Sequence, residues 1–222
     1  MKNDTIMMVH GSGGAATSEL VQAIFAKEFA NNTLDKMEDS AVVEGYGKLA
    51  VTTDSFVVTP VKYPGGDIGR LCICGTVNDL LMRGAKPKYI TCGFILQEGL
   101  QISLLQEIVH SMAQTAREAG VEIVAGDTKV VNGNGELYIN TAGVGFVPEE
   151  REVSAEKVQP GDAVIVSGNL GDHHAAIGRY ASLIHVGQSG SSCSMRRYKL
   201  PFLTTNMLAT LAYKETLVDA GF

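Results

Sequence analysis

The fold is indicated most directly by the sequence Val121-Glu122-Ile123-Val124-Ala125-Gly126-Asp127-Thr128-Lys129. A short apolar run of this kind, bounded by turn residues, is typical of a buried strand. The ends of strands in α/β folds are common ligand positions. We therefore predict a short strand over residues 121–125 that delivers a carboxylate, a hydroxyl and an ammonium group, from residues 127, 128 and 129, to a binding site.

The segments on either side of this strand predict an alternation of helices and strands. Before it, Ser103 and Gln106 form a capping box for a helix that ends at Gly120. After it, the sequence Asn132-Gly133-Asn134-Gly135 is a strong hairpin signal. We expect this turn to fold residues 129–131 back against a long strand over residues 136–147.

The upstream half continues the same pattern. Residues 48–59 are rich in Val, Thr and Phe and predict a strand, and residues 89–96 predict another. Between them, Asp67 can cap a helix that runs to about Arg83, with Gly84 as its left-handed terminator. We therefore predict an α/β (α+β) fold with a mixed sheet and flanking helices.

Two more carboxylates lie in or beside apolar segments. Asp79 lies in Gly75-Thr76-Val77-Asn78-Asp79, on an otherwise apolar helix, where either a metal ion or Arg83 could be its partner. Asp54 lies in Thr52-Thr53-Asp54-Ser55, where a strand interior disfavours Asp, so that a bulge or a binding site is the better explanation. Carboxylate oxygens suit Mg²⁺, which usually binds through one or two carboxylates together with substrate phosphates.

The glycine-rich segment His10-Gly11-Ser12-Gly13-Gly14 precedes a predicted amphipathic helix over residues 17–30. It is not a Walker loop and lacks the spacing of a dinucleotide-binding fingerprint. Two interpretations remain open at this level. The segment is either a flexible turn or a loop whose backbone N–H groups close over phosphates.

Composition excludes some classes of function. The net charge of −6 argues against general nucleic-acid binding, which needs a basic surface. No apolar run is long enough for a transmembrane helix, and the first residues lack the apolar stretch of a secretory signal. The four cysteines have no zinc-site spacing, and we interpret them as small buried residues in a reducing cytoplasm.

A charged stretch over residues 148–157 predicts a domain boundary. We expect an N-terminal domain over residues 1–150 and a partial second α/β domain over residues 151–222. The second domain would open with a strand over residues 163–167 and a short helix carrying His173 and His174. Its character changes from about residue 178, where a flexible linker is expected.

Taken in order, the motifs resemble the hydrogenase maturation factor family HypE, which belongs to the ATP-binding superfamily of aminoimidazole ribonucleotide synthetase and selenophosphate synthetase. The resemblance covers about residues 5–177. It rests on the segments His10 to Gly14, Thr52 to Ser55, Pro64 to Gly69, Cys74 to Asp79, Cys92 to Gly99, Gly126 to Val131, Ile139 to Gly143 and Val166 to His173.

The resemblance implies an N-terminal domain whose strands pair across a homodimer into a shared barrel, with ATP and Mg²⁺ in a cleft beside a second α/β domain. It implies a metal site at Asp54, Asp79 and Asp127, and catalytic roles for Asp79 and Lys129. It implies a nucleotide site formed by Gly11, Ser12, Gly13, Gly14, Asp54, Asn78, Asp127, Thr128, Asn140 and Thr141.

The reaction implied by the resemblance is the ATP-dependent dehydration of an S-carboxamide on a C-terminal cysteine to a thiocyanate, for the cyanide ligands of [NiFe] hydrogenase. The implied partners are a carbamoyltransferase and the iron-centre assembly proteins, in the cytoplasm, with no role for nucleic acid or membranes.

This sequence departs from the family pattern after residue 178 and does not end in the family's terminal cysteine motif. We expect a truncated or altered gene product that is inactive in the complete reaction. Two alternatives remain: a non-catalytic dimeric scaffold, or another ATP-dependent synthetase of the same superfamily.

Overall fold

The structure is a computed structural model that describes residues 4–37, 40–149, 153–165 and 209–210. Its centre is a four-stranded mixed sheet in the order β1-β6-β4-β5. These strands are β1 (Lys48–Phe56), β4 (Lys86–Gln97), β5 (Glu122–Val131) and β6 (Leu137–Val147). Strand β6 is antiparallel to both β1 and β4, whereas β4 and β5 are parallel. The predicted α/β fold with a mixed sheet is confirmed.

Two long helices cover one face of the sheet. Helix α3 (Ile68–Leu81) begins where the Asp67 side chain accepts a hydrogen bond from the Arg70 backbone N–H at 2.8 Å, as predicted. Helix α4 (Ile102–Ala119) connects the parallel strands β4 and β5 and ends at Gly120, whose φ of 68° is left-handed. The apolar faces of both helices form the core with the sheet, around fully buried residues such as Ile73, Leu96, Leu105, Ile108 and Met112.

The predicted capping box of α4 is wrong. The cap residue is Gln101 rather than Ser103, and no side chain caps the helix. Gln101 forms a β-bridge with Thr5, and the Ile102 backbone N–H donates to the Asp4 carbonyl at 3.0 Å. The N-terminal segment therefore bonds the first amide of the helix, which is satisfied without a side-chain cap.

The predicted hairpin between residues 129–131 and the following strand is also wrong. Strand β5 runs to Val131, and β4 lies between β5 and β6. The Gln97 side chain of β4 accepts hydrogen bonds from the backbone N–H groups of Asn134 (2.8 Å) and Glu136 (3.2 Å). The turn at 132–135 is thus fixed to a third strand, which the local turn signal could not reveal.

The remaining elements are short. They are a 3₁₀ turn (Met8–Gly11), α1 (Ala15–Leu20), a π-helical turn (Val21–Ala26), α2 (Lys27–Phe29), a 3₁₀ turn (Leu34–Lys36), β2 (Lys62–Tyr63), β3 (Gly66–Asp67), a 3₁₀ turn (Ala155–Lys157), β7 (Val164–Ile165) and β8 (Ala209–Thr210). The predicted helix after the glycine-rich segment is therefore present, with a π-helical middle. In the described residues, no helix is apolar over the length that a bilayer requires.

The face of the sheet opposite the helices carries exposed apolar side chains. Leu49 and Val51 on β1 are 56% and 68% exposed, and Ile95 on β4 is 45% exposed. These positions alternate along the strands with residues that pack under α3. We refer to this surface as the open face. Most of the predicted second domain, including His173 and His174, lies outside the described residues.

Candidate functional site

The structure brings Asp54 and Asp79 together where α3 crosses β1. Thr52, two residues before Asp54 on the same face of β1, donates a hydrogen bond from Oγ1 to Asp79 Oδ2 at 2.8 Å. Burial, and next the negative charge of Asp79, raise the pKa of the Asp54 carboxyl. Two carboxylates on adjacent elements that repel each other in this way form a site that a cation would stabilise.

Two glycines let α3 come this close to the sheet. A Cβ atom on Gly75 would lie 2.8 Å from the Phe56 ring and 3.5 Å from Asp54 Oδ2. A Cβ atom on Gly143 of β6 would lie 2.6 Å from Cγ2 of Thr76 on α3. Side chains of β1 therefore make the close approach at Gly75.

The sequence left two alternatives open for each of these carboxylates: a metal ion or Arg83 as the partner of Asp79, and a bulge or a binding site as the explanation of Asp54. Among the described residues, Asp79 bonds to Thr52 on the sheet rather than to Arg83 on its own helix. The register of β1 against β6 runs without a shift from Lys48 to Phe56, so a bulge does not explain Asp54. An acidic residue in an unbroken strand favours the binding-site interpretation.

The donor set at this edge suits a hard cation. Asn78 precedes Asp79, and its Oδ1 is the buried side-chain oxygen that lacks a hydrogen-bond partner among the described residues. Two carboxylates and an amide carbonyl are the oxygen donors that Mg²⁺ accepts, together with waters and substrate phosphates. The residues present therefore fit Mg²⁺ in the charge and type of their donors.

Asp127 lies at the other edge of the sheet. It occupies the middle of β5 rather than a strand end, and Lys129 Nζ donates to its Oδ1 at 2.9 Å. This hydrogen bond is the main cause that lowers the pKa of the Asp127 carboxyl. Because β6 and β4 lie between β1 and β5, roughly 14 Å of sheet, at about 4.8 Å per strand, separates Asp127 from Asp54. In the described part of one chain, no group of three acidic, His or Cys side chains could hold a metal ion.

The predicted pair Asn140 and Thr141 is divided between the two faces of the sheet. Asn140 is exposed on the open face, where its Nδ2 donates to the Asp54 carbonyl at 2.9 Å and to Ser55 Oγ at 3.0 Å. Thr141 is fully buried under α3, and its hydroxyl shares a 2.5 Å hydrogen bond with that of Thr76. In this structure Thr141 packs between the sheet and α3, and its contact with a nucleotide stays a prediction.

A polar row crosses the open face beside Asn140. Ser55, Asn140, Gly93 and Asp127 are cross-strand neighbours on β1, β6, β4 and β5. A Cβ atom on Gly93 would only just contact Asn140, at 3.8 Å, so that glycine leaves space between Asn140 and Asp127. Sequence reasoning missed this row, because the pairing of distant strands creates it.

The glycine-rich segment is an ordered turn packed on β5. A Cβ atom on Gly11 would lie 2.7 Å from the Val130 backbone nitrogen. The Gly13 backbone N–H donates to Thr17 Oγ1 at 3.0 Å, and Ser12 Oγ donates to the Val9 carbonyl at 2.9 Å. The segment therefore lies beside the strand that carries Asp127 and Thr128, as a phosphate-binding role would need.

A cavity of about 260 Å³ lies between this N-terminal helical segment and β4 and β5. Its walls are apolar, with aromatic side chains from the helical segment and from β4. Its polar lining includes Asp127, Thr128 and Thr17. The full lining is Thr17, Val21, Phe25, Ala26, Phe29, Thr33, Leu34, Met37, Ser40, Ala41, Cys92, Phe94, Ile123, Val124, Ala125, Gly126, Asp127 and Thr128.

The three described cysteines are free and buried, as expected. Burial raises the pKa of Cys74 to about 11 and that of Cys92 to about 12, and it raises the pKa of Cys72 well above the usual thiol value. Since the thiolate is the reactive form, these side chains are packing residues rather than nucleophiles. Cys193 lies outside the described residues.

Comparison with known proteins now identifies the family. The family described as AIR synthase related protein, N-terminal domain, matches residues 37–147, a range that contains Asp54, Asp79 and Asp127. The chain belongs to the AIR synthase related family. The glycine-rich segment lies before the matched range.

Within this family the chain resembles HypE proteins. It is 48% identical over 183 residues to carbamoyl dehydratase HypE of Escherichia coli K12, and the match covers 78% of this chain and 54% of that protein. It is 45% identical over 183 residues to the HypE of Rhodobacter capsulatus, and that match covers 80% of this chain and 54% of the relative. The chain thus spans about half the length of the curated relatives that it matches.

Solved structures agree with this assignment. A HypE in complex with ATP has a TM-score of 0.78 at 45% identity, over 80% of this chain and 54% of that one. The HypE in a HypE–HypF complex has a TM-score of 0.59 at 45% identity, and the match covers 81% of this chain and 56% of that chain. The fold is shared with a thiamine-monophosphate kinase of Stenotrophomonas maltophilia, which has a TM-score of 0.59 at 23% identity. That match covers 80% of this chain and 54% of the kinase chain.

Proposed function

We propose that this chain is an ATP- and Mg²⁺-binding hydrogenase maturation protein that acts as a homodimer in the dehydration of a carbamoyl group. The observation that carries the proposal is the pairing of Asp54 and Asp79 at the crossing of α3 and β1. Its context supports this interpretation, because a relative at 45% identity is a HypE in complex with ATP.

The proposed metal site is built around this pair. Asp54 and Asp79 would hold Mg²⁺, and Asn78 Oδ1 would accept a hydrogen bond from one of its waters. When bound, Mg²⁺ would offset the charge of the ATP phosphates. The unpaired negative charge at this edge supports the assignment, since the Asp54 pKa is already raised without a cation.

Asp127 joins the proposed site through a second copy of the chain. In the described sheet, β1 and β5 each pair with one strand only, so both edges are open. The open face also exposes Leu49, Val51 and Ile95, an apolar surface of the kind that a partner covers. Two such sheets that close into one barrel would set β1 of one copy beside β5 of the other, and so bring the edge strand that carries Asp127 beside the edge strand that carries Asp54.

In the proposed site Lys129 changes partner. In the described chain its ammonium group bonds to Asp127 at 2.9 Å, and both side chains are about two-thirds exposed. An exposed pair of this type is weak, so the lysine can leave it for a phosphate. We propose that Lys129 then stabilises the charge on the transferring phosphoryl group. Gly11 to Gly14, beside the same strand, would close over the nucleotide together with Thr128 and Asn140.

The proposed reaction consumes one ATP for each carboxamide. The carboxamide oxygen attacks the γ-phosphorus of ATP and ADP leaves. The phosphate then leaves from carbon with that oxygen, and both amide protons are lost, so that S–C(=O)NH₂ becomes S–C≡N. The carboxamide would be carried on a cysteine other than Cys72, Cys74 and Cys92, whose burial and raised pKa values do not suit a nucleophile.

The proposed setting is the cytoplasm, which suits a chain with free thiols. A carbamoyltransferase and the iron-centre assembly proteins are the proposed partners. This part of the proposal draws support from a relative, at 45% identity, that was solved as a HypE–HypF complex. The second candidate function is a non-catalytic dimeric scaffold, which the apolar open face favours.

Isothermal titration of the full chain with ATP in the presence of Mg²⁺ tests the proposal. We expect saturable heat that is lost when EDTA removes the metal and that is much weaker with AMP, which lacks the β- and γ-phosphates. A dimer that gives no heat with Mg²⁺ and ATP would contradict the enzymatic proposal and support the scaffold. Equal binding of AMP and ATP would contradict the proposed phosphate site.

A further inference from the structure

Thr52 has a contact to the proposed metal site that its neighbours in the sequence lack. Its hydroxyl donates to Asp79 Oδ2 at 2.8 Å, across from β1 to α3. Thr52 and Asp54 are two residues apart on one strand, so their side chains lie on the same face of the sheet. Asp79 therefore reaches the strand between a hydrogen-bond donor and a second carboxylate.

The Asp79 side chain needs such a donor. It is exposed, and a second carboxylate lies close to the same stretch of α3, because a Cβ atom on Gly75, one turn before Asp79, would lie 3.5 Å from Asp54 Oδ2. Without a fixed partner, the Asp79 carboxylate would turn away into solvent. The Thr52 hydroxyl occupies Oδ2 and leaves Oδ1 available to another ligand.

The surrounding packing holds Thr52 and α3 in a fixed relation. Thr52 is the cross-strand partner of Gly143. A Cβ atom on Gly143 would lie 2.6 Å from Thr76, 3.0 Å from Leu80 and 3.5 Å from Thr52. A larger residue at 143 would push α3 away from the sheet. The glycine thus sets the distance that the Thr52–Asp79 hydrogen bond spans.

We infer that Thr52 is a positioning residue that orients the Asp79 carboxylate for Mg²⁺, an inference that rests on the proposed function. Groups that hydrogen-bond to metal ligands fix the orientation of those ligands, and their loss lowers metal affinity. Nothing in the sequence pattern alone separates Thr52 from Thr53. The structure does, because only Thr52 contacts a proposed ligand.

Thr53 provides a matched control. Its hydroxyl also makes one hydrogen bond, in this case from β1 to the Thr141 carbonyl of β6 at 3.0 Å, but it contacts no carboxylate. Thr52→Val and Thr53→Val therefore remove the same group from adjacent positions. Thr52→Ser retains the hydroxyl. If the hydrogen bonds are only structural, the two valine variants should lose similar stability and behave alike towards metal.

The experiment measures Mn²⁺ binding to the full chain, with Mn²⁺ as the paramagnetic probe for Mg²⁺, through the loss of the free-ion EPR signal. Thermal unfolding without metal controls for stability. We expect Thr52→Val to weaken Mn²⁺ binding about tenfold, within the range measured for outer-shell partners of metal ligands. Thr53→Val and Thr52→Ser should bind Mn²⁺ as the wild type does.

Each contrary result has a separate meaning. If Thr52→Val and Thr53→Val bind Mn²⁺ equally well, Thr52 is a structural tether and the inference is overturned alone. If Thr52→Ser binds as poorly as Thr52→Val, the hydroxyl is not the group that acts. If the wild-type chain takes up no Mn²⁺, the carboxylate pair is not a metal site, and the proposed function loses its metal together with this inference.

Discussion

The two edges of the central sheet carry carboxylates in opposite electrostatic settings. At the β1 edge, Asp54 and Asp79 repel each other, and burial together with that repulsion raises the pKa of Asp54. At the β5 edge, Lys129 neutralises Asp127 and lowers its pKa. The first edge has an excess of negative charge that a cation would relieve, whereas the second already contains its cation.

This difference suggests separate roles for three aspartates that look alike in the sequence. The β1 edge is suited to hold Mg²⁺, and the β5 edge to present an ammonium group to phosphate. One chain keeps the two edges on opposite sides of the sheet. The roles can combine on one nucleotide only if a second copy brings its β5 edge to the β1 edge of the first. Substitutions at each edge can therefore separate the two roles.

The largest effect is expected from Val51→Lys on the open face. Val51 is 68% exposed in one chain, and a lysine there would place a charge inside the proposed barrel. Burial of an unpaired charge is very unfavourable. We expect the dimer to dissociate and nucleotide binding to be lost with it, because the two edges no longer meet. Sedimentation and titration with Mg²⁺ and ATP measure the two outcomes.

Val158→Lys is the control for added charge, because Val158 is also exposed, at 45%, but lies outside the central sheet. It should leave both the dimer and nucleotide binding unchanged. A monomeric Val51→Lys variant that still binds Mg²⁺ and ATP normally would break the comparison, since a single chain would then suffice for the site.

The next largest effect is expected from Asp79→Asn. Loss of a direct carboxylate ligand should weaken the binding of Mg²⁺ and ATP by at least about 100-fold, the upper end of the range for outer-shell partners. In the absence of metal, the same variant should unfold at a higher temperature than the wild type, because the repulsion of Asp54 is removed. Titration and thermal unfolding measure these two opposite changes.

Asp127→Asn sharpens this test from the other edge. It removes an attraction to Lys129 rather than a repulsion. Metal-free Asp127→Asn should therefore be slightly less stable than the wild type, by no more than about 1 kcal/mol for an exposed ion pair. If Asp79→Asn also lowers the stability of the metal-free protein, the carboxylate pair at the β1 edge does not carry the unfavourable charge that we assign to it.

Much of the fold could be predicted from local patterns. The helix caps at Asp67 and Gly120 and the strands around Asp54 and Asp127 follow from short-range chemistry, and the structure contains them. The hairpin after β5 could not be predicted correctly, because the pairing partner of the turn is Gln97 on a strand that is distant in sequence. A turn signal states that the chain reverses, but it does not state which strand lies beside it.

The site could be predicted only in part for the same reason. Each aspartate was recognisable as an acidic residue in an apolar context, but their distances depend on strand order. With β6 and β4 between β1 and β5, Asp54 and Asp127 are separated, whereas Asp79 reaches β1 from the helix above it. The role of Thr52 was equally hidden, because its neighbour Thr53 has the same side chain and the opposite orientation.

The smallest expected effect is a difference in the pH dependence of stability between the two edges. The folded chain holds the proton of Asp54 more tightly than the unfolded chain does, since its folded pKa is raised. As the pH rises from the ordinary Asp pKa through this raised value, Asp54 makes the folded state less stable. Asp127 behaves oppositely, because its lowered pKa contributes stability above the ordinary value that is lost as the pH falls through the folded pKa.

Urea unfolding in EDTA, from about pH 3 to pH 7, where carboxylates titrate, measures this difference against Asp54→Asn and Asp127→Asn. The stability of the wild type minus that of Asp54→Asn should fall as the pH rises, and the corresponding difference for Asp127→Asn should rise. Both changes should be small, because both groups are largely solvated. Replacement of EDTA by Mg²⁺ should reverse the slope for Asp54 alone, since a bound cation favours its charged form. Equal slopes at the two positions would mean that the edges do not differ in the way that their geometry indicates.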